Sequence, residues 1–165
     1  MATVKTNIEF DIDEVSECNA SKHKRALMEV VSELWDRYLH LDKEGLAELL
    51  APDITRTSQR TRTLQQGKEA VLAGLEAEWE AFERPNGAIA ESMTVREADI
   101  HVDSNNHPTA ATVTYWLEVE GGSRWHYDDQ GAVMQAFTLV DGEWLLCHWM
   151  DCWSMDYDLD EDDYG

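Results

Sequence analysis

The segment from Asp141 to Ser154 concentrates residue types that can do chemistry: three Trp, two Cys, two Asp and a His within fourteen residues. Such types fit a metal site, an acid–base site or a large apolar surface. Side chains alternate between the two faces of a strand, so His148 and Asp151 lie on opposite faces unless a bulge separates them. Cys147 and Cys152, five positions apart, diverge in the same way. The spacing therefore predicts no metal site.

Composition limits the classes of partner. The 165 residues suit a single domain, and 13 basic against 34 acidic residues give a formal charge of −21. This charge repels phosphate backbones and anionic membrane surfaces, so neither nucleic acid nor a membrane is an expected partner. An odd number of cysteines and no apolar signal stretch predict a cytoplasmic protein with free thiols. No cofactor is predicted.

The two ends differ from the middle of the chain. Residues 1–20 include an alternating stretch at 7–15, which is compatible with an added edge strand or a flexible arm. Residues 156–165 are too acidic and too poor in apolar residues to bury themselves, and they predict a mobile tail. The folded domain is accordingly predicted to span residues 21–155.

Helical periodicity marks three segments in the first half of the chain. From Ser21 to Leu39, apolar residues recur every three or four positions, which predicts a helix of about five turns. Asp42 can cap a short second helix. A third helix is predicted from Lys68 to Glu83, whereas the polar run that ends at Gln66 is predicted to be a loop.

The other segments alternate with a period of two. A short strand is predicted at residues 54–59, and four more are predicted at 92–102, 109–119, 132–140 and 143–153. Consecutive strands joined by short turns form an antiparallel meander. The chain therefore predicts an α+β fold in which N-terminal helices pack in the concave face of a curved antiparallel sheet.

This order of elements resembles the nuclear transport factor 2-like superfamily, a cystatin-like α+β cone that includes SnoaL-like domains. The likeness rests on the motif from Leu41 to Asp53, on the motif from Gly67 to Val71, and on Asp-Gly-Glu-Trp followed by His-Trp-Met-Asp-Cys-Trp-Ser in the last strand. The superfamily contains polyketide cyclases, ketosteroid isomerases and a kinase association domain. The resemblance thus implies a fold, while several functions remain open.

The resemblance also implies which side chains point into the cone. In the last strand these are Leu145, Cys147, Trp149 and Asp151. The same register places inside the cone Arg56, Ser58, Val113, Tyr115, Leu117, Gln135 and Phe137. Tyr38 of the first helix and Trp79 of the third helix would close the cavity. A mostly apolar pocket with a few polar groups is typical of a small-molecule site.

The opposite, outer face of the sheet is predicted to be apolar. It would carry Trp116, Met134, Trp144, Leu146, His148 and Met150. Because a large apolar face is rarely left in water, we expect a second copy of the chain to cover it in a homodimer.

Asp151 is the candidate for proton transfer, because an apolar cavity favours a carboxyl group that takes up a proton. A salt bridge between Asp151 and Arg56 that only neutralises two buried charges is the competing interpretation. Tyr38 or Tyr115 could donate a hydrogen bond to a developing oxyanion. SnoaL-like enzymes use a His and an Asp, which makes His126, near the expected cavity mouth, and His101 further candidates.

Two classes of function follow. The first is an isomerase, cyclase or dehydratase in which Asp151 moves a proton on an apolar substrate and Gln135 or Tyr115 holds its oxygen. The second is a non-catalytic ligand-binding or assembly domain that holds a carboxylate metabolite through Arg56. By the same resemblance, Ser58 aligns with the general base of ketosteroid isomerases and Gln135 with their oxyanion acid. Neither side chain can do that job, which disfavours the steroid isomerase mechanism. No Asp-Arg-Asp set of the epoxide hydrolase type is found in the sequence.

Overall fold

A computed structural model describes residues 3–6, 17–58, 62–82, 92–121 and 127–153. In chain order the elements are β1 (Thr3–Thr6), α1 (Glu17–Leu39), α2 (Lys43–Leu49), β2 (Leu50–Ser58), β3 (Thr63–Gln66), α3 (Lys68–Phe82), β4 (Ser92–Val102), β5 (Ala110–Gly121), β6 (Tyr127–Val140) and β7 (Glu143–Trp153). The predicted α+β fold is confirmed. The segment 7–15 and the acidic segment 156–165 lie outside the described residues.

The described strands form one sheet in the order β1-β4-β5-β6-β7-β2-β3. Strands β4 to β7 make the predicted antiparallel meander, and β2 extends it by pairing in parallel with β7. The turn between β6 and β7 places Asp141 and Gly142 at positive φ, which suits the twist of a tight hairpin. The meander therefore provides a continuous curved surface.

The polar run before Gln66 contains a strand, so the predicted loop is wrong at this point. Strand β3 pairs antiparallel with β2, with Thr55 opposite Gln66. Its side chains are mostly exposed. An edge strand of this kind is held by backbone hydrogen bonds, and its sequence consequently lacks the apolar alternation that predicts strands.

The helices pack on the concave face of the sheet. Along α1, the apolar stripe that includes Leu27, Val31 and Leu34 is fully buried in the core, as the helical spacing requires. The side chain of Asp42 accepts a hydrogen bond from the Gly45 backbone N–H at 3.0 Å, which caps α2 as predicted. No helix in the described segments has the length and apolar character needed to cross a membrane.

A bulge in β7 reverses the side-chain directions in the first half of this strand relative to those predicted. Ala136 pairs with His148 and Phe137 pairs with Leu146, so Cys147 is the extra residue. One extra residue reverses the alternation. Trp144 and Leu146 consequently point into the core and are buried, and their assignment to the outer face is wrong.

The same bulge corrects the inward direction predicted for Leu145 and Cys147, both of which are half-buried. The Cys147 thiol donates a hydrogen bond to the Ala136 carbonyl oxygen at 3.3 Å. Burial raises the pKa of this thiol, and the negative charge of Asp53 raises it further. Beyond the bulge, the original alternation resumes, and Trp149 and Asp151 point inward as predicted.

Candidate functional site

The concave side of the sheet brings most of the predicted pocket residues together. The buried ones are Tyr38, Arg56, Val113, Tyr115, Leu117, Gln135, Phe137, Trp149 and Asp151. Trp79 is half-buried and packs against them. Cys147 lies in the bulge, outside this group. The side chain of Ser58 and the whole of His126 lie outside the described residues, and His101 is exposed beside Asp99 on β4.

Three buried charged residues form the centre of the site, and we call them the charged set: Arg56 of β2, Glu78 of α3 and Asp151 of β7. One terminal nitrogen of Arg56 donates to Asp151 Oδ2 at 3.0 Å. The other terminal nitrogen contacts a carboxylate oxygen of Glu78. All three side chains are nearly inaccessible to water. Two carboxylates thus share one guanidinium, which gives the ionised set a formal charge of −1.

Glu78 is the member of the charged set that the sequence did not predict. It lies in α3 between two other acidic residues, Glu76 and Glu80, which are both exposed. The available signal was its spacing, because Glu78 follows Val71 and Leu75 at the seven- and three-residue intervals of the buried stripe. An acidic residue on an apolar stripe requires a buried partner, and Arg56 is that partner.

Arg56 is held on three sides. Its guanidinium carbon lies 4.3 Å from the centroid of the Trp149 ring, in cation–π geometry. Burial alone lowers the pKa of Arg56, but the negative charges of Asp151 and Glu78 outweigh burial and raise this pKa above its ordinary value. The guanidinium therefore stays charged and fixes the positions of both carboxylates.

A second polar group, a chain of hydrogen bonds, lies beside the charged set. The Trp35 indole N–H donates to the Tyr115 hydroxyl at 2.6 Å, and that hydroxyl donates to Gln135 Oε1 at 2.6 Å. Burial raises the pKa of Tyr115 well above its ordinary value, and the negative charge of Asp151 adds to this effect. Tyr115 is therefore a neutral donor whose proton is already committed to Gln135.

Aromatic rings fill much of the space around these groups. Trp35 contacts Tyr38 and Trp149 edge to face, with ring centroids 5.0 and 5.4 Å apart. Tyr38 also contacts Trp79, and its hydroxyl donates to Glu78 at 3.0 Å. These rings exclude water from the charged set, which strengthens its electrostatic interactions.

Several buried polar atoms at the site have no hydrogen-bond partner in the described part of the chain. They are Asp151 Oδ1, Arg56 Nε, Gln135 Nε2, Trp149 Nε1 and Trp79 Nε1. An unpaired buried polar group costs about 1–3 kcal/mol, and most buried polar groups in folded proteins are paired. One acceptor and four donors left unpaired in one cluster are typical of a site that binds a small molecule or water.

The outer face of the same strands has a different character. Trp116, Met134 and Met150 are 48, 47 and 40% exposed, and we call these three residues the outer patch. Thr114, Met134 and Met150 pair in one row across β5, β6 and β7. A mostly apolar depression of about 340 Å³ runs along this face. His148, next to the patch, is half-buried and hydrogen-bonded to the Thr55 hydroxyl at 2.7 Å.

Metal-binding residues do not gather at the described part of the site. Within the described ranges, no group of three or more His, Cys, Asp or Glu side chains has an arrangement that could hold a metal ion. Cys152 is exposed on the outer face, whereas the Cys147 thiol at the bulge is hydrogen-bonded to the Ala136 carbonyl oxygen. The two thiols are free and do not form a common site.

Comparison with solved structures identifies the fold. LinA matches with a TM-score of 0.68 at 13% identity, over 84% of this chain and 90% of its own. A scytalone dehydratase-like protein from Novosphingobium aromaticivorans gives 0.66 at 18% identity, over 83% and 87%. The association domain of C. elegans CaMKII gives 0.66 at 16% identity, over 82% and 98%. Other matches are described as nuclear transport factor 2-like or cystatin-like proteins.

The chain therefore has the nuclear transport factor 2-like, cystatin-like fold that the sequence motifs indicated. No model of a protein family matches it. None of the curated proteins matches it in sequence. At identities below 20%, the structural matches define the fold alone, and the function has to be inferred from the site.

Proposed function

We propose that this protein catalyses proton transfer on a small, largely apolar molecule bound inside the cone, with Asp151 as the proton acceptor. Isomerisation, cyclisation and dehydration are the reaction classes that such a step serves. The observation that carries the proposal is the arrangement of Asp151: Arg56 holds Oδ2, while the buried Oδ1 has no partner in the described chain. A fixed carboxylate with one free oxygen is suited to act as a general base.

The surplus negative charge of the charged set supports the same role. Glu78 and Asp151 together exceed the single charge of Arg56, and no other cation contacts them among the described residues. A proton taken from a bound molecule would neutralise this surplus charge. The surrounding Trp35, Tyr38 and Trp149 rings would hold an apolar molecule close to Oδ1.

The alternative in which Arg56 holds a carboxylate metabolite is less well supported. Both terminal nitrogens of Arg56 already contact protein carboxylates. A third carboxylate would meet the net negative charge of the set, and like charges in a water-poor environment repel strongly. A neutral molecule fits the electrostatics of the cone better than an anion does.

Exchange of carbon-bound hydrogen with deuterated water tests the proton transfer without a known product. Small ketones, hydroxyketones and keto acids would be incubated with the protein in deuterated water and examined by mass spectrometry. We expect catalysed exchange into at least one compound, and we expect Asp151→Asn to slow it about 100-fold or more, as loss of a general base does.

The control for this experiment is Asp99→Asn, which alters an exposed carboxylate on β4 and should exchange like the wild type. Circular dichroism would establish that each variant is folded. Wild-type rates in a folded Asp151→Asn variant, or no catalysed exchange in any compound, would contradict the proposal.

A second, compatible function is assembly through the outer patch. The observation that favours it is the exposure of Trp116, Met134 and Met150 on the same face of the sheet. We propose that two copies pack these patches against each other in a homodimer. The association domain among the matched structures is consistent with this role for the fold.

Sedimentation velocity tests the dimer. Met150→Asp should raise the dimer dissociation constant at least about 100-fold, because a charge would be buried in an apolar contact. Val140→Asp is the matched control, since Val140 is 44% exposed on β6 but lies next to the β6–β7 turn. A wild-type monomer at about 100 µM, or a Met150→Asp variant that remains dimeric, would rule out this interface.

A further inference from the structure

The orientation of the Gln135 amide follows from the hydrogen-bond chain that holds it. An indole N–H can only donate, so the Trp35–Tyr115 contact uses the Tyr115 oxygen as the acceptor. The single hydroxyl proton of Tyr115 then has to be donated onward, and its neighbour at 2.6 Å is Gln135. Gln135 must therefore present Oε1 to Tyr115. Its amide nitrogen, Nε2, is left for other contacts.

Gln135 Nε2 lies on the same face as the free oxygen of Asp151. Gln135 pairs directly with Trp149 across β6 and β7, and Asp151 is two residues beyond Trp149 on the same side of the strand. Gln135 and Asp151 are therefore diagonal neighbours on adjacent strands, and the backbones of two such residues typically lie about 7–8 Å apart. The unpaired amide nitrogen of Gln135 and the unpaired carboxylate oxygen of Asp151 therefore belong to side chains that point to the same side of the sheet.

We infer that Gln135 binds the oxygen of a neutral carbonyl or hydroxyl compound in the cone, and that Tyr115 and Trp35 position the Gln135 amide for this contact. The inference rests on the proposed proton transfer at Asp151. It assigns separate roles to the two candidates for oxygen binding: Gln135 touches the substrate, and Tyr115 acts through Gln135.

The unpaired polar atoms at the site favour a neutral ligand over an anion or a cation. At the site, four buried donors and one buried acceptor have no partner among the described residues. An ammonium group could donate to Asp151 Oδ1 but would leave the four donors without an acceptor, and a carboxylate is repelled by the formal charge of −1 on the charged set. A carbonyl oxygen accepts from Gln135 Nε2 without adding charge, and a hydroxyl can in addition donate to Asp151 Oδ1.

The proposed proton transfer needs no reactant other than the bound carbonyl compound and Asp151. The C–H bond next to the carbonyl breaks, and its proton forms a bond to Asp151 Oδ1. The released electron pair forms the carbon–carbon double bond of an enolate, whose oxygen accepts a stronger hydrogen bond from Gln135. Return of the proton from Asp151 to the same or another carbon regenerates the carboxylate.

Four six-membered ring compounds of similar size test the class of ligand. They are cyclohexanone, its hydrocarbon analogue methylenecyclohexane, cyclohexanecarboxylate and cyclohexylammonium. Binding would be followed by intrinsic fluorescence, because Trp35, Trp79 and Trp149 all lie at the site. We expect cyclohexanone to bind at least about tenfold more tightly than either charged compound, because the ammonium leaves the four donors unpaired and the carboxylate is repelled by the charged set.

Variants at Gln135 and Tyr115 test the contact itself. Gln135→Leu should weaken cyclohexanone binding about tenfold while leaving methylenecyclohexane unchanged, because only the ketone loses a hydrogen bond. The infrared carbonyl stretch of bound cyclohexanone should be lowered by the wild type and restored in Gln135→Leu. Tyr115→Phe should give an intermediate stretch, since the amide loses its anchor. Gln66→Leu, at an exposed glutamine of β3, is the matched control.

The outcomes separate this inference from the proposed function. Tighter binding of the carboxylate or the ammonium compound, an unchanged stretch in Gln135→Leu, or no binding of any ring compound would overturn the role of Gln135. Ketone binding that depends on Gln135, combined with normal deuterium exchange in Asp151→Asn, would support the role of Gln135 and reject Asp151 as the base.

Discussion

The inner and outer faces of the same three strands, β5, β6 and β7, contain opposite kinds of surface. On the inner face, Gln135 pairs with Trp149, and both are fully buried beside charged groups. On the outer face, Met134 pairs with Met150, and both are nearly half exposed. The inner face therefore buries polar groups among its apolar residues, and the outer face leaves three large apolar side chains in contact with water.

This inversion shows that the two faces serve different purposes. Burial of Arg56, Glu78, Gln135 and Asp151 costs desolvation energy that an apolar core would avoid. Exposure of Trp116 and its neighbours forgoes about 25 cal/mol of stabilisation per Å² of apolar surface. Stability alone favours neither arrangement, whereas the proposed ligand binding inside the cone and the proposed association through the outer patch would account for both.

The largest effect is expected when the charged set loses its cation. Arg56→Met should lower the free energy of unfolding by about 3–5 kcal/mol, because two buried carboxylates lose their shared partner. Urea denaturation monitored by circular dichroism would measure this loss. The control is Arg96→Met, which removes an arginine that is 48% exposed and paired with Glu118, and should cost at most about 1 kcal/mol. Equal losses of unfolding free energy in the two variants would show that the buried Arg56 contributes no more to stability than the exposed Arg96.

The second largest loss of stability is expected when a side chain is added on the inner face, which has less free space than the outer face. A Cβ atom added at Gly131 would lie 2.7 Å from a ring carbon of Trp153 on the inner face. Gly131→Val should therefore cost about 1–3 kcal/mol through overpacking. Ala132→Val, one residue further on the exposed face, should change stability by less than about 0.5 kcal/mol. A tolerated Gly131→Val variant would mean that the Trp153 ring has room to move.

The fold was largely predictable because its signals are local. The apolar stripes of α1 and α3 and the short turns of the meander follow from residue spacing alone, and the predicted third helix differs from α3 by one residue at its end. Strand β3 was missed because its side chains are mostly exposed at an edge. The bulge at Cys147 was missed because apolar residues occupy both faces of β7 before it, so that either register satisfied the pattern.

The candidate site was predictable only as a set of inward directions. Periodicity placed Arg56, Gln135 and Asp151 inside, but it did not show that α3 brings Glu78 to the same point. Contacts between elements far apart in sequence depend on how a helix is rotated on the sheet. The assignment of Gln135, rather than Tyr115, to a substrate oxygen likewise needed the Trp35 contact, which joins residues 80 positions apart.

A substitution on the outer face should affect association far more than the stability of the single chain. Trp116→Thr replaces a ring that is 48% exposed with a residue that suits a strand. At protein concentrations low enough to keep the chain monomeric, we expect the free energy of unfolding to change by about 0.5 kcal/mol or less. Denaturation at two concentrations would measure both effects. A loss above about 2 kcal/mol in the monomer would show that the Trp116 ring packs within its own chain.

The smallest effect is expected at an exposed carboxylate, in contrast to the buried ones of the charged set. Asp103, between β4 and β5, accepts hydrogen bonds from the Thr109 hydroxyl at 2.5 Å and from the backbone N–H of Thr109 at 2.9 Å. These bonds, together with one from the Ala110 N–H, lower the pKa of Asp103 from 3.8 to about 2. A lowered pKa stabilises the folded state above pH 4 and loses this contribution as the pH falls from about 4 towards 2.

Thr109→Val removes the hydroxyl but keeps the backbone donors, so the pKa of Asp103 should rise only part of the way towards 3.8. Titration of the carboxyl carbon by NMR would follow it, with Thr112→Val on the exposed face of β5 as the control. The effect on stability should be small because the carboxylate is fully solvated and water replaces a lost donor. An unchanged pKa in Thr109→Val would assign the shift to the backbone alone. A large loss of stability would mean that the turn between β4 and β5 depends on this carboxylate as strongly as the cone depends on Arg56.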